Sequence, residues 1–255
     1  MSNISYLSIK TIIIHEIREY FKEFQFTIIA PLITTIIFVF IFSTLDTYYS
    51  LNSSNGIYLN FLIPGIIMTV VMQTSFNYIS EVIINMKQIG SFNDLLLSPM
   101  SRGEICISFI ISSIIIGIFL SLILTFILYI FNDFHLFNLT RYLYYLIITS
   151  LIFASIGSLI GFISFTWDFQ QGFFNFLITP ISFFSGTFFP ITLIDESWRT
   201  YFYYNPFYQI VSNFRKSFFE NQNYFFINDL LILFISFVFI YITLFVFKKG
   251  FKVIN

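Results

Sequence analysis

The fold is decided by residues 177–215, which read LITPISFFSGTFFPITLIDESWRTYFYYNPFYQIVSNFR. An apolar run of membrane length is interrupted here by Gly186 and Pro190, and the chain then continues to Arg215. In hydrocarbon every backbone N–H and C=O group needs an internal partner, so such a break has to meet water or protein. The stretch therefore predicts a broken helical hairpin at a membrane face, where it lines a pathway or an interface.

The composition indicates an integral membrane protein of the all-α class. Charged residues make up 10% of the chain and hydrophobic residues 57%, against about 25% and roughly 45–50% in soluble domains. Each of six apolar stretches is close to the ~20 residues that a membrane-spanning helix needs. These predicted spans are 26–45, 61–80, 105–131, 142–166, 173–191 and 230–247. We expect one transmembrane domain over residues 1–255, with an interface helix in 1–25 and a six-span bundle in 26–255.

The placement of the cationic residues predicts the orientation. Six spans put both termini on one side of the membrane, and that side carries Lys10, Arg18, Lys22, Lys87, Arg102, Lys248, Lys249 and Lys252. The other side carries Arg141, Arg199, Arg215 and Lys216. Because cytoplasmic segments are enriched in Lys and Arg, we expect both termini to be cytoplasmic.

The first 25 residues have the pattern of an amphipathic helix that lies in the membrane interface. Apolar residues recur at helical spacing, and a charged side is formed by Lys10, Glu16, Arg18, Glu19, Lys22 and Glu23. Such a helix lies flat at the headgroup level. A simple membrane anchor is the alternative interpretation of this pattern.

A second informative block is residues 93–102, which read NDLLLSPMSR and lie in the longest polar stretch on the predicted cytoplasmic side. A short amphipathic helix that stops at Ser98-Pro99 fits this pattern. The leucines 95–97 would form an apolar ridge, and Leu96 is the expected central knob. A ridge of this kind suits the groove of a soluble partner, although an ordinary solvated loop is the alternative.

Together, residues 93–102 and 177–215 resemble the signatures of the type 2 ATP-binding-cassette (ABC) export permeases, and the similarity is closest to compact bacterial members. The resemblance implies that residues 93–102 form the coupling segment, which contacts a separate ATPase through Asp94, Leu95, Leu96, Leu97, Ser98, Pro99 and Arg102. It also implies an interface helix that lies near the ATPase, with Arg18 and Lys22. The implied external re-entrant hairpin, named here the external segment (residues 185–215), contains Gly186, Phe189, Pro190, Trp198, Asn205, Pro206 and Arg215.

The same resemblance implies partners and a location. Two copies of an ABC ATPase, a second copy of the permease in a homodimer and the lipid bilayer are the expected partners, in a bacterial inner (cytoplasmic) membrane. The sequence has no G-x-x-x-x-G-K-[ST] phosphate-binding motif, so ATP and Mg²⁺ would bind to the ATPase and this chain would bind no cofactor.

Several other functions are disfavoured by the sequence. His15 and His135 fall on opposite predicted sides and Cys106 is the single cysteine, so we expect neither a metal site nor a catalytic site. The formal net charge of -1 disfavours nucleic acid as a partner. A secondary transporter and a membrane scaffold without an ATPase remain as alternatives. The Phe-rich spans favour an amphipathic or lipid-like cargo, and the resemblance also implies a glycan or a drug as alternative cargoes.

Two local questions stay open at this level. Pro31 and Pro64 either kink their helices or lie close to the helix starts. Gly157 and Gly161 form a small-xxx-small pair, which allows close helix packing either within one chain or between two chains.

Overall fold

The computed structural model describes residues 6–50, 58–131, 136–191, 194–219 and 227–250. His135 and Lys252 lie outside these ranges. The described residues form helices joined by short turns, which agrees with the all-α prediction. The helices are α1 (Tyr6–Lys22), α2 (Ala30–Ser50), α3 (Tyr58–Ile89), α4 (Ser91–Leu97), α5 (Arg102–Phe131), α6 (Leu139–Ile163), α7 (Trp167–Phe173), α8 (Thr179–Phe184), α9 (Glu196–Tyr204), α10 (Pro206–Phe219) and α11 (Ile227–Lys249).

Five helical segments of the described chain are long and apolar enough to cross a membrane. They are Gln25–Thr44, Leu59–Ile89, Arg102–Phe131, Leu139–Ile163 and Asn228–Lys249, and they correspond to the first four predicted spans and the last one. The predicted span 173–191 overlaps one continuous helical stretch, formed by α7, the π turn Phe174–Ile178 and α8, which ends at Phe184 and is not among these five. The count of six spans therefore stays a prediction.

Two prolines each follow a π-helical turn. The π turns are Gln25–Ile29 and Phe174–Ile178, and in each case the second residue after the turn is a proline, Pro31 or Pro180. Proline has no N–H to donate, and a wider i→i+5 turn rearranges the hydrogen bonds before it. Pro31 is thus the seventh residue of the helical segment Gln25–Thr44, where the π turn accommodates its missing N–H.

The centre of the bundle is α3, which packs against α5 and α6. A Cβ atom on Gly157 would lie 2.5 Å from the carbonyl oxygen of Phe76, and one on Gly161 would lie 3.0 Å from Cβ of Ile83. Because the two glycines carry no side chain, the backbone of α6 approaches α3 closely at these positions. This glycine pair serves packing within one chain.

Hydroxyl groups also join the helices across the apolar interior. Ser113 of α5 donates to the carbonyl oxygen of Ser75 in α3 at 2.6 Å, and Thr243 of α11 donates to that of Ser155 in α6 at 2.9 Å. Small polar side chains fill this role in membrane proteins because they satisfy each other away from water. Together with the glycines, they join α5 and α6 to α3, and α11 to α6.

Candidate functional site

The coupling segment is built on α4, a short helix between two breaks. Gly90 precedes the helix with φ of 91°, a left-handed conformation that glycine adopts without a steric penalty. The helix ends at Ser98, whose side chain and backbone N–H both donate to the carbonyl oxygen of Leu95, at 2.6 and 3.3 Å. Pro99 follows at once and disfavours helical geometry at Ser98. The chain therefore forms a helix where the sequence predicts one.

The leucine triplet is divided between the interior and the surface. Leu95 and Leu96 pack against a hydrophobic cluster that contains Ile105 and Phe109, whereas Leu97 is 85% exposed. The apolar knob that faces away from the chain is therefore Leu97 and not Leu96. The exposed carboxylate of Asp94 lies one turn earlier in the same helix.

The end of the coupling segment is held within the chain. Ser101 and Glu104 form a capping box at the start of α5: the backbone N–H of Ser101 donates to Glu104 Oε2 at 2.7 Å, and that of Glu104 donates to Ser101 Oγ at 3.3 Å. Arg102 donates from Nη1 to the carbonyl oxygen of Lys248 at 2.9 Å. A cation is favourable at a helix C-terminus. Arg102 thus contacts the end of α11, a contact that the sequence did not indicate.

Two further residues of this region were missed by the sequence analysis. Lys87 donates to backbone carbonyl oxygens at the end of α6, and the ring of Phe92 is 1% exposed. Burial of such a ring is worth about 2–3 kcal/mol. Lys87 entered the sequence analysis only as a charge, and Phe92 is one of 39 phenylalanines, so neither residue carried a distinguishing signal.

The amphipathic helix α1 packs along α5, and the ring centroids of Phe21 and Phe119 are 5.1 Å apart. Arg18 and Lys22 are exposed, and Lys22 forms an ion pair with Glu19 at 2.5 Å. Glu16 departs from its predicted place on the charged side, because it is only 2% exposed. Tyr78 of α3 donates to the Glu16 side chain at 3.1 Å and to its carbonyl oxygen at 2.9 Å.

Glu16 lies in a groove of about 490 Å³ between α1 and α3, which also contains Glu19, Glu23 and Glu81. Burial raises the pKa of the Glu16 carboxyl above its ordinary value, although hydrogen bonds from His15 and Tyr78 oppose the shift. A buried carboxyl resists ionisation because the charged form loses its hydration. The contact between α1 and α3 is therefore linked to protonation.

We expect α1 to dock more weakly as the pH rises. The pKa of Glu16 is raised only while α1 is docked, so the carboxyl favours docking fully at a pH below 4.5, its ordinary pKa. This contribution to docking is lost as the pH rises through the raised pKa. Glu16→Gln should remove that dependence. The rate of tryptic cleavage after Arg18 is measured for wild type and variant at each pH. The ratio of the wild-type rate to the variant rate should rise with pH. Parallel cleavage profiles for the two proteins would contradict this linkage.

The external segment is anchored by Arg215, which is 8% exposed. Its Nε donates to the carbonyl oxygen of Phe61 and its Nη2 to that of Gly186, each at 3.0 Å. The guanidinium carbon also lies 3.6 Å from the centroid of the Phe61 ring, a cation–π geometry. Arg215 therefore ties α10 to the start of α3 and to the turn after α8.

The turn itself requires two glycines. Gly186 has φ of 74°, and a Cβ atom there would lie 2.8 Å from the ring of Tyr208. A Cβ atom on Gly65 of α3 would lie 2.8 Å from the carbonyl oxygen of Thr187. Thr187 and Thr69 also share a hydrogen bond at 3.2 Å. The break in the apolar run is consequently packed against α3, and protein atoms bond to the carbonyl oxygen of Gly186 and the hydroxyl of Thr187.

The remaining predicted residues of the external segment surround this turn. Asn205 Nδ2 donates to the carbonyl oxygen of Phe184 at 3.2 Å, and its Oδ1 accepts from the N–H of Phe207 at 3.0 Å. Pro206 is the first residue of α10, a position where a missing N–H costs nothing. The ring of Phe189 lies near that of Phe202. Pro190 follows Phe189 directly, and Trp198 is 62% exposed on α9.

Within the described ranges, no three His, Cys, Asp or Glu side chains are grouped closely enough to hold a metal ion. Cys106 is a buried free thiol in α5. The coupling segment presents an exposed leucine between capped helix ends, and the external segment presents a tightly packed turn.

Comparisons with known proteins cover both the coupling segment and the external segment. Residues 8–219 match the family described as ABC-2 type transporter. The chain is also similar to the inner membrane transport permease YadH of Escherichia coli strain K12, of E. coli O6:H1 and of Shigella flexneri. In each case 24% of 218 residues are identical, over 86% of this chain and 85% of the relative.

Proposed function

This chain belongs to the ABC-2 type transporter family, as the resemblance predicted, and on that premise we propose that it is the membrane permease subunit of an ATP-driven exporter. Permeases of this family pair with an ABC ATPase subunit. Two copies of this chain would enclose the translocation pathway, and two ATPase subunits would bind ATP and Mg²⁺. Closure of the ATPases would push on the coupling segment and switch the pathway from inward to outward access.

The observation that carries the proposal is the exposed side chain of Leu97 on an anchored helix. An apolar side chain that is 85% exposed gains free energy when a partner covers it. The helix that carries it is held from inside by Phe92 and by the half-buried Leu95 and Leu96. A partner that presses on α4 would therefore displace the helix together with the residues packed beneath it. Transmission of force requires a stiff contact of this kind.

The proposed location is a bacterial inner membrane, with both termini in the cytoplasm. It is supported by the name of the relative YadH, an inner membrane permease, and by the contact between Arg102 and the end of α11. Because the coupling segment and the end of α11 are in contact, the proposal assigns both to the cytoplasmic side. Reporter enzymes fused to each terminus, active only in the cytoplasm, would test the orientation.

An affinity purification tests the proposal directly. The tagged chain, extracted from its native membrane with mild detergents, should retain an ABC ATPase that mass spectrometry identifies and that hydrolyses ATP. An intact chain that is recovered without any ATPase in several detergents would contradict the proposal and favour a secondary transporter or a scaffold.

For the cargo, we propose an amphipathic or lipid-like molecule, such as a glycolipid or an apolar drug. The spans are rich in phenylalanine and the strongly apolar α5 lacks acidic or basic residues after Glu104, so the walls favour apolar contact. Uptake of a panel of cargoes into vesicles that contain the complex would test this. Preferred transport of a small hydrophilic ion would contradict it.

A further inference from the structure

The region around α4 is bonded to the ends of two other helices, and the first of these contacts is made by Lys87 near the end of α3. Its Nζ donates to the carbonyl oxygens of Gly161, Phe162 and Ser164 at 2.9, 2.5 and 3.0 Å. The last carbonyl groups of a helix lack partners within that helix. Lys87 thus caps the C-terminus of α6, four residues before α4 begins at Ser91.

The second contact is a group of three aromatic rings under α4. The rings of Phe162 in α6 and Phe247 in α11 are stacked, with centroids 4.0 Å apart. Phe92 of α4 lies against both, with its centroid 6.2 Å from each. Because close-packed side chains leave no free volume, α4 cannot move inward without displacing both helices.

The third contact lies at the far end of the coupling segment, where Arg102 caps α11 through the carbonyl oxygen of Lys248. Gly250 follows that helix with φ of 68°, and a Cβ atom there would lie 3.1 Å from Arg102 Nη1. The guanidinium group therefore occupies the space that a side chain at position 250 would take. The cap depends on this close approach.

We propose that Lys87 and Arg102 are positioning residues that clamp α4 and the coupling segment to the C-terminal ends of α6 and α11, so that a push on Leu97 moves these two helices as one unit. The inference rests on the proposed coupling to an ATPase. Packed elements with fixed contacts transmit a displacement between two arrangements. By contrast, α2 packs on α3 and against Phe188, so it serves as a reference for the motion.

Distances between spin labels in the complex with the co-purified ATPase test the clamp. Cys106 is replaced by serine, and exposed positions receive cysteine in pairs: Ile41 with Leu230 for α2 and α11, and Leu139 with Leu230 for α6 and α11. Labelled chains are mixed with an excess of unlabelled chain, so that only distances within one chain are recorded. Trapping with ATP and vanadate should change the first distance and leave the second unchanged.

In complexes that contain the ATPase, the variants Lys87→Met and Arg102→Met should each reduce the trapped change in the Ile41–Leu230 distance to less than half. Lys87→Arg should restore the change, because a guanidinium group can also donate to the carbonyl groups of α6. Lys10→Met, at an exposed lysine of α1, is the matched control and should behave as wild type.

The outcomes separate the clamp from the proposed function. Recovery of the wild-type chain without any ATPase would overturn both the clamp and the proposed function. An ATPase that remains bound, with an undiminished distance change in both Met variants, would overturn the clamp alone. Relative movement of α6 and α11 in the wild type would overturn it as well. If Lys87→Met fails to fold, the Arg102→Met variant at the other end decides by the same measurement.

Discussion

Leu97→Asp is expected to release the ATPase from the purified complex while the permease itself remains folded. Leu97 is 85% exposed, so the substitution costs the isolated chain little. In a complex, the same change would place an unpaired charge in an apolar contact. We expect binding of the ATPase to weaken about 30-fold, or about 2 kcal/mol, measured as retained ATPase per tagged chain and by its dissociation rate.

Two leucines provide controls for this experiment. Leu139→Asp makes the same change at an exposed residue, 59% exposed, at the start of α6, and it should leave the ATPase bound. Leu96→Asp should instead lower the thermal stability of the chain, because Leu96 packs against the cluster around Phe109. Normal ATPase binding by a folded Leu97→Asp variant would remove Leu97 from the interface.

Gly186→Ala is expected to lower the free energy of unfolding by about 3 kcal/mol. Part of this is the strain of a left-handed conformation for a residue with a Cβ atom, about 1–2 kcal/mol. The rest is overpacking, because the new atom would lie 2.8 Å from the ring of Tyr208. Thermal unfolding of wild type and variant in the same detergent measures the difference.

Gly90→Ala is the matched control, since Gly90 also has a positive φ, of 91°, but its Cβ would have no neighbour within 4 Å. It should cost only the strain, about 1–2 kcal/mol. The combination of Tyr208→Ala with Gly186→Ala should lose less stability than the sum of the two single variants, because the smaller side chain removes the clash. Equal losses in the two glycine variants, with additive losses in the double variant, would show that the turn is not packed as described.

Residues 91–98 show how far local patterns reach. The short helix and its end at Ser98 are predictable, because a serine–proline pair stops a helix by local sterics. Which leucine faces outward is not predictable in this way. In a seven-residue helix, Leu96 and Leu97 point in directions that only the position of the neighbouring α5 distinguishes.

Charged residues show the same limit more sharply. Glu16 reads as part of the charged side of α1, yet it is buried against Tyr78, which lies 62 residues away in the chain. Lys87 reads as one more cytoplasmic cation, yet it caps a helix that ends more than 70 residues later. Long side chains reach partners that are set by helix packing, and no local period records those partners.

The sequence by itself determined the class of the protein, the family, five of the six expected spans and the two segments on which function was predicted. It could do so because hydrocarbon selects long apolar helices, and because glycine and proline mark breaks through local backbone sterics. Only the tertiary structure decided that Leu97 is the exposed knob, that one helical stretch runs from Trp167 to Phe184 through a π turn, and that Arg102 and Lys87 cap other helices. These features depend on where distant helices meet, and that arrangement follows from close packing of the whole bundle.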